Sequence, residues 1–209
     1  MSTRIELIDY LECALHCWLP PRENANQSTS WDDATISQVL ALADQLGREK
    51  LLPSARLLDL QPPTIIDGRV QTPAALHASL QALAESGFFA PNAAPERGGI
   101  GLPVGVSAAT SALFASYDAP TFGYCMLTIG VANLIHSFGT EHQRQRFLAP
   151  LETGKFFGTM CLSEPHAGSS VGDARSSARP MPDGRYQLSG AKMWISGGEH
   201  DMSENIVHT

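Results

Sequence analysis

Residues 160–170 read MCLSEPHAGSS, which places a hydroxyl, a carboxylate and an imidazole within four positions and follows them with a run of small residues. Two chemistries could use such a stretch. Gly168 to Gly172 matches G-x-S-x-G, which would make Ser170 the nucleophile of an acyl hydrolase, with Asp201 and His208 as downstream partners. That motif needs an apolar strand leading straight into the serine and a helix leaving it. Here Glu164, Pro165 and His166 intervene, and DARSSARPMPDG after Gly172 carries no apolar helical stripe. The other chemistry is a cradle for a planar ring with polar edges and apolar faces, such as an isoalloxazine. Met160, Leu162 and Ser163 could supply amides and a hydroxyl to its edge, and the small loop with Ser169 could let backbone amides approach a diphosphate. Downstream, KMWIS puts Trp194 and Ser196 two positions apart, so on a strand they would point the same way, as an aromatic wall and a second hydroxyl. A strand edge, a turn and a core tryptophan would produce the same spacing, so spacing alone leaves that choice open.

The elements that must position these residues change character along the chain. Ile36, Val39, Leu40, Ala43 and Leu46 draw one apolar stripe. Thr72-Pro73 is a helix start, Leu76, Leu80 and Leu83 continue the stripe, and Gly87 ends it. Leu127, Val131, Leu134, Ile135 and Phe138 predict a later helix, and Thr140 to Gln143 has the form of a capping box. After about Lys155 the texture turns to short strands: FFGTMCL, YQLSG, KMWIS and NIVH, with a turn at Pro182 to Gly184. Helices first and strands afterwards indicate an α+β fold, a helical bundle followed by the start of an antiparallel β domain. PRENANQSTS at 21–30 reads as a linker. The expected division is an N-terminal extension and linker over 1–34, a helical domain over 35–155 and an incomplete β domain over 156–209.

Composition excludes some functions. With 209 residues and a net charge of −7, the chain can bury a core and shows no basic footprint for nucleic acid. The longest apolar run, Tyr124 to Ile135, is short for a membrane span, and the acidic N-terminus does not resemble a secretory signal, so a cytoplasmic location is expected. GGIGLP at 98–103 lacks the third glycine of a dinucleotide fingerprint. Four cysteines form no C-x-x-C pair. Cys13, His16 and Cys17 share a helix face that is expected to be packed and reduced, since a metal would need further ligands.

MCLSEPHAGSS followed by GAKMWISGG resembles the paired flavin-binding signatures of the acyl-CoA dehydrogenases, and GTEHQRQRFLAPLETGK and ERGGIGLP extend the resemblance upstream. The tail GGEHDMSENIVH resembles the large-subunit branch, that of the 3-methylmercaptopropionyl-CoA dehydrogenases. The resemblance implies an FAD cofactor, an acyl-CoA substrate desaturated between its α and β carbons, an electron-transferring flavoprotein as acceptor, and a homo-oligomer in the full-length form. It implies that Met160, Leu162 and Ser163 face the flavin, that Ser169 contacts the diphosphate or the CoA thioester, and that Trp194 covers the ring with Ser196 near N5. The family's general-base glutamate comes from a C-terminal helical domain. It is therefore expected beyond Thr209, so no catalytic residue is expected in this chain and turnover by the chain alone is not expected. Cys161 is expected to pack away from the cofactor, His166 to be a solvated loop residue, and Glu164 to be structural. Ser170 stands where the family usually has Asp. A non-catalytic binding module on the same scaffold is the alternative.

Overall fold

The computed structural model describes residues 6–17 and 31–209. The linker expected at 21–30 lies outside the described residues. Helix α1 spans Leu7–Cys17 and α2 Asp33–Leu46. A single π turn, Gly47–Leu51, joins α2 to α3, Leu52–Leu60. Then come a small hairpin, β1 Thr64–Ile66 and β2 Arg69–Gln71, α4 Ala74–Glu85, α5 Val104–Phe138 and α6 Glu141–Glu152. The β region follows, with β3 Phe156–Thr159, β4 Ser177–Pro180, β5 Tyr186–Ser189 and β6 Asn205–His208.

The predicted stripes form the core. Ile36, Leu40 and Ala43 of α2 and Leu76, Leu80 and Leu83 of α4 are buried against Val106, Leu113 and Phe114 of α5, with Leu15 of α1 sealing one end. Each such side chain contributes about 1.5–3 kcal/mol when fully buried. The capping box at Thr140 forms in both directions, Thr140 with the Gln143 amide and the Gln143 side chain with the Thr140 amide. Two serine hydroxyls bond to carbonyls of the π turn. Ser54 Oγ donates to Leu51 O at 2.8 Å and Ser79 Oγ to Lys50 O at 2.9 Å.

Other expectations need correction. The stripe on the second half of α5 is only partly inward: Val131 and Ile135 are buried, but Leu134 faces solvent and Phe138 is 86% exposed. Leu15 packs α1 onto the bundle, whereas Cys13 and Cys17 are exposed rather than packed. Helix α4 does start at Thr72-Pro73 as expected, with Pro73 at its N-cap position, while the Thr72 hydroxyl is used elsewhere and meets His77 Nε2 at 2.8 Å and the Asp201 carboxylate. The β1–β2 hairpin was not foreseen, although Asp67-Gly68, both at positive φ, is the pair that a tight hairpin turn favours.

Helix α5 is long and apolar enough by composition to cross a bilayer, but here it is the central helix of the bundle and is not straight. At Asp118 the backbone leaves the helical region, and the Asp118 carboxylate accepts from the amide and hydroxyl of Thr121, at 3.1 and 2.6 Å, starting the second half. That half carries the β region. Gly158 N donates to Thr128 Oγ1 at 3.1 Å, and a Cβ on Gly158 would lie 2.6 Å from Val131 Cβ, so β3 lies directly on α5. Strands β4 and β5 pair antiparallel as expected, but β3 and β6 pair parallel, Phe156 opposite Asn205 through Thr159 opposite His208. Parallel neighbours need a long connection, and residues 160–204 provide it.

Candidate functional site

Beyond β3 the chain extends along β6, with Cys161 N donating to Thr209 O at 2.6 Å. This puts Met160 and Leu162 on the surface, both exposed. Two bonds then bring the second motif alongside. Met193 N donates to Ser163 O at 3.0 Å, and Thr159 Oγ1 donates to Ser196 O at 2.6 Å. Thr159 is fully buried, so this hydroxyl is a fixed post between the motifs. Met160, Leu162, Ser163, Trp194 and Ser196 are therefore gathered in one place, although the motifs lie about thirty residues apart.

The gathering is not by strand alternation. KMWIS is not a strand, and Trp194 adopts φ of 60°, a left-handed conformation costly for a bulky residue. The turn at Ser196–Gly197 and the bond to Thr159 hold it there, and the indole is 84% exposed. Ser169 lies on an exposed loop before a short 3₁₀ turn, Val171–Asp173. Among the described residues the hydroxyls of Ser163, Ser169 and Ser196 have no hydrogen-bond partner in the chain. The arrangement is an exposed indole, two exposed apolar side chains and three serine hydroxyls without a partner among the described residues.

Sequence reasoning missed two supports. One is Thr159. The other is Lys192, whose Nζ donates to Glu164 Oε1 at 2.9 Å and Leu162 O at 3.2 Å. Glu164 is buried, as a structural residue should be, and also accepts from the amides of Arg175 and Ser176. The Arg175 amide first, then Ser176 and Lys192, hold its carboxyl well below the usual carboxylate range. His166 is more than a solvated loop position: its Nε2 lies 3.2 Å from Asp173 O and 3.6 Å from Glu164 Oε2. Cys161 is half buried, with its Sγ 3.7 Å from His208 Nδ1.

The hydrolase constellation is not assembled. Ser170 precedes a 3₁₀ turn rather than a helix, Asp201 is taken up by Thr72 and His77, and His208 lies beside Cys161.

The family model described as the acyl-CoA dehydrogenase N-terminal domain matches residues 38–155. The chain is 34% identical over 183 residues to 3-methylmercaptopropionyl-CoA dehydrogenase of Ruegeria pomeroyi, covering 86% of the chain and 31% of that protein. It is 36% identical over 124 residues to the mitochondrial very long-chain specific acyl-CoA dehydrogenase of Mus musculus, covering 57% of the chain and 19% of that protein. The solved structure of butyryl-CoA dehydrogenase from Megasphaera elsdenii superposes with a TM-score of 0.66 at 27% identity, over 82% of this chain and 43% of that one. The chain thus spans less than half the length of each of these relatives. The family model covers more than half of the chain and the Ruegeria protein more than four fifths, over a bundle and paired motifs that stand together: this chain belongs to the acyl-CoA dehydrogenase family.

Proposed function

We propose that this chain forms the bundle and part of the cofactor cradle of an FAD-dependent enzyme that desaturates an acyl-CoA thioester between its α and β carbons. The observation that carries the reading is the junction of the two motifs by Thr159 and Ser163, which ties the residues on either side of the exposed Trp194 to the segment that carries the exposed Met160 and Leu162. These residues fit a flavin: an indole for one ring face, and Ser163 and Ser196 for its polar edge. Ser169, on an exposed loop where a Cβ on Gly168 would meet nothing within 4 Å, suits the diphosphate or the thioester ligand. Bound there, FAD would accept the β hydride. The chain's own residues orient the ring, exclude water from one face and donate hydrogen bonds. None of those assigned here takes the α proton. An electron-transferring flavoprotein as acceptor and assembly as a homo-oligomer belong to the same reading and rest on family resemblance, while the domain division at about residue 155 rests on the change from helical to strand-like sequence and the cytoplasmic location on the acidic N-terminus.

The test is a titration of FAD with the chain, followed by quenching of flavin fluorescence. Trp194→Ala is expected to weaken binding and alter the bound spectrum, because it removes the wall of the pocket. Equal binding by the two proteins would return Trp194 to an ordinary surface role. Dye-coupled assays on acyl-CoA substrates of several chain lengths are expected to show no turnover by this chain alone. Steady turnover would mean that a carboxylate within it serves as base.

A further inference from the structure

One buried carboxylate ties the loop after Ser163 to residues 175–176 and to Lys192. The Glu164 side chain is 2% exposed. Its Oε2 accepts from the Arg175 amide at 2.8 Å, and its Oε1 from the Ser176 amide at 3.0 Å and Lys192 Nζ at 2.9 Å. The donors come from positions 11, 12 and 28 residues away. Glu164 also exchanges backbone bonds with Ala167, at 2.8 and 3.1 Å, which closes the start of the small loop. Lys192 stands one residue before Met193, whose amide reaches Ser163 O, and its ammonium also holds Leu162 O.

We propose that Glu164 and Lys192 are positioning residues of the cofactor site: together they clamp Leu162–Ser163 against Met193–Trp194 and so set the distance between the hydroxyl edge and the aromatic wall. The proposal rests on the flavin reading given above. A general base needs a lone pair directed at substrate, and the oxygens of Glu164 are committed to three donors on the protein side. Burying a carboxylate is unfavourable unless it is paired and hydrogen-bonded, and here both conditions are met. The arrangement also demands ionisation. A glutamine would present one oxygen and one NH₂ group where donors converge on both ends, so the isosteric replacement opposes donor to donor. Loss of Lys192 is a gentler break, because the two backbone donors remain.

The experiment compares wild type, Glu164→Gln, Lys192→Met and Lys192→Arg in the whole chain. Folding is checked by circular dichroism, FAD affinity by fluorescence quenching, the site by the visible absorption of bound flavin, and the clamp by hydrogen exchange of the Met193 amide. Lys192→Met is expected to weaken FAD binding by about tenfold, the scale of one charge-assisted hydrogen bond, to shift the flavin spectrum and to unprotect Met193. Lys192→Arg is expected to rescue all three, because it restores a charged donor. Glu164→Gln is expected to exceed Lys192→Met, and if it does not fold, Lys192→Met decides. A folded Lys192→Met with unchanged affinity, spectrum and Met193 protection would overturn the proposal. Failure of the wild type to bind FAD would instead sink the flavin reading. The clamp would then stand or fall on whether Lys192→Met releases the Met193 amide.

Discussion

The two halves of the molecule are held together by different means. In the bundle, stripes of leucine, isoleucine and phenylalanine from α1, α2, α4 and α5 meet in one continuous core. In the β region only β3 and β6 join an apolar core, Phe157 with the bundle and Phe156 and Val207 against Val131 and Leu151, whereas every residue of β4 and β5 is exposed and the segment between is tied by polar bonds at Thr159, Glu164 and Lys192. The bundle stabilises itself by burying apolar surface, whereas β4, β5 and the segments around the two motifs carry several large apolar side chains outward. Trp194, Leu162 and Leu188 face solvent, as suits a surface whose purpose is to meet something else.

That contrast is open to breaking. Phe114 is 1% exposed and packs edge-on to Phe88 with ring centroids 4.8 Å apart. Phe114→Ala is expected to cost about 3–5 kcal/mol in denaturant unfolding. At the seam, Gly158→Ala would press a methyl into Val131 and is expected to cost about 1–3 kcal/mol, with the loss of protection concentrated in β3 and β6 by hydrogen exchange.

Acid should find the seam next. His200 lies between the rings of Tyr124 and Phe157, its Nε2 is buried without a partner, and burial pushes its pKa down to about 4. A base whose folded pKa lies below its unfolded value of about 6.5 favours the neutral form in the fold. Its contribution is therefore complete above about 6.5 and is lost as pH falls toward 4. Thermal unfolding between these limits should show the decline, and His200→Gln should flatten it. Smaller still, Thr140→Ala removes one side of a capping box and should cost about 1 kcal/mol by denaturant titration. Leu188→Ala, at a residue 79% exposed, should stay within about 0.5 kcal/mol in the same titration. A larger loss would mean that the β4–β5 hairpin has a core of its own.

The bundle was legible because periodicity is local. Ile36 to Leu46 and Leu76 to Leu83 declare their faces within a dozen residues, and Thr140 to Gln143 declares a helix start within four. The same rule overreached at Leu134 and Phe138, where an apolar stripe does not say whether a partner covers it. The proposed site residues are named by family signature, but the bonds that hold them are not legible there, since Thr159 meets Ser196 and Glu164 meets Lys192 across 37 and 28 positions. No spacing rule reaches that far. Nor could a strand pattern anticipate that Trp194 would turn to positive φ and break the alternation it was read from.

The π turn at Gly47–Leu51 has a consequence for how this stretch tolerates change. A helix advances about 100° per residue, so one extra residue in a single turn sets α3 out of phase with α2. Through that offset α2 serves α5, while Ser54 of α3 comes round to meet Ser79 of α4 at 2.9 Å. Arg48, Glu49 and Lys50 are exposed and can be exchanged without disturbing the phase. Deleting any one of the five would restore regular winding and swing the face of α3 by about 100°, separating the two serines and turning Asp59 and Leu58 to new neighbours. In this segment the number of residues sets the phase, and the identities that matter are Gly47, where a Cβ would run into the Tyr117 ring, and Leu51, which is fully buried in the core.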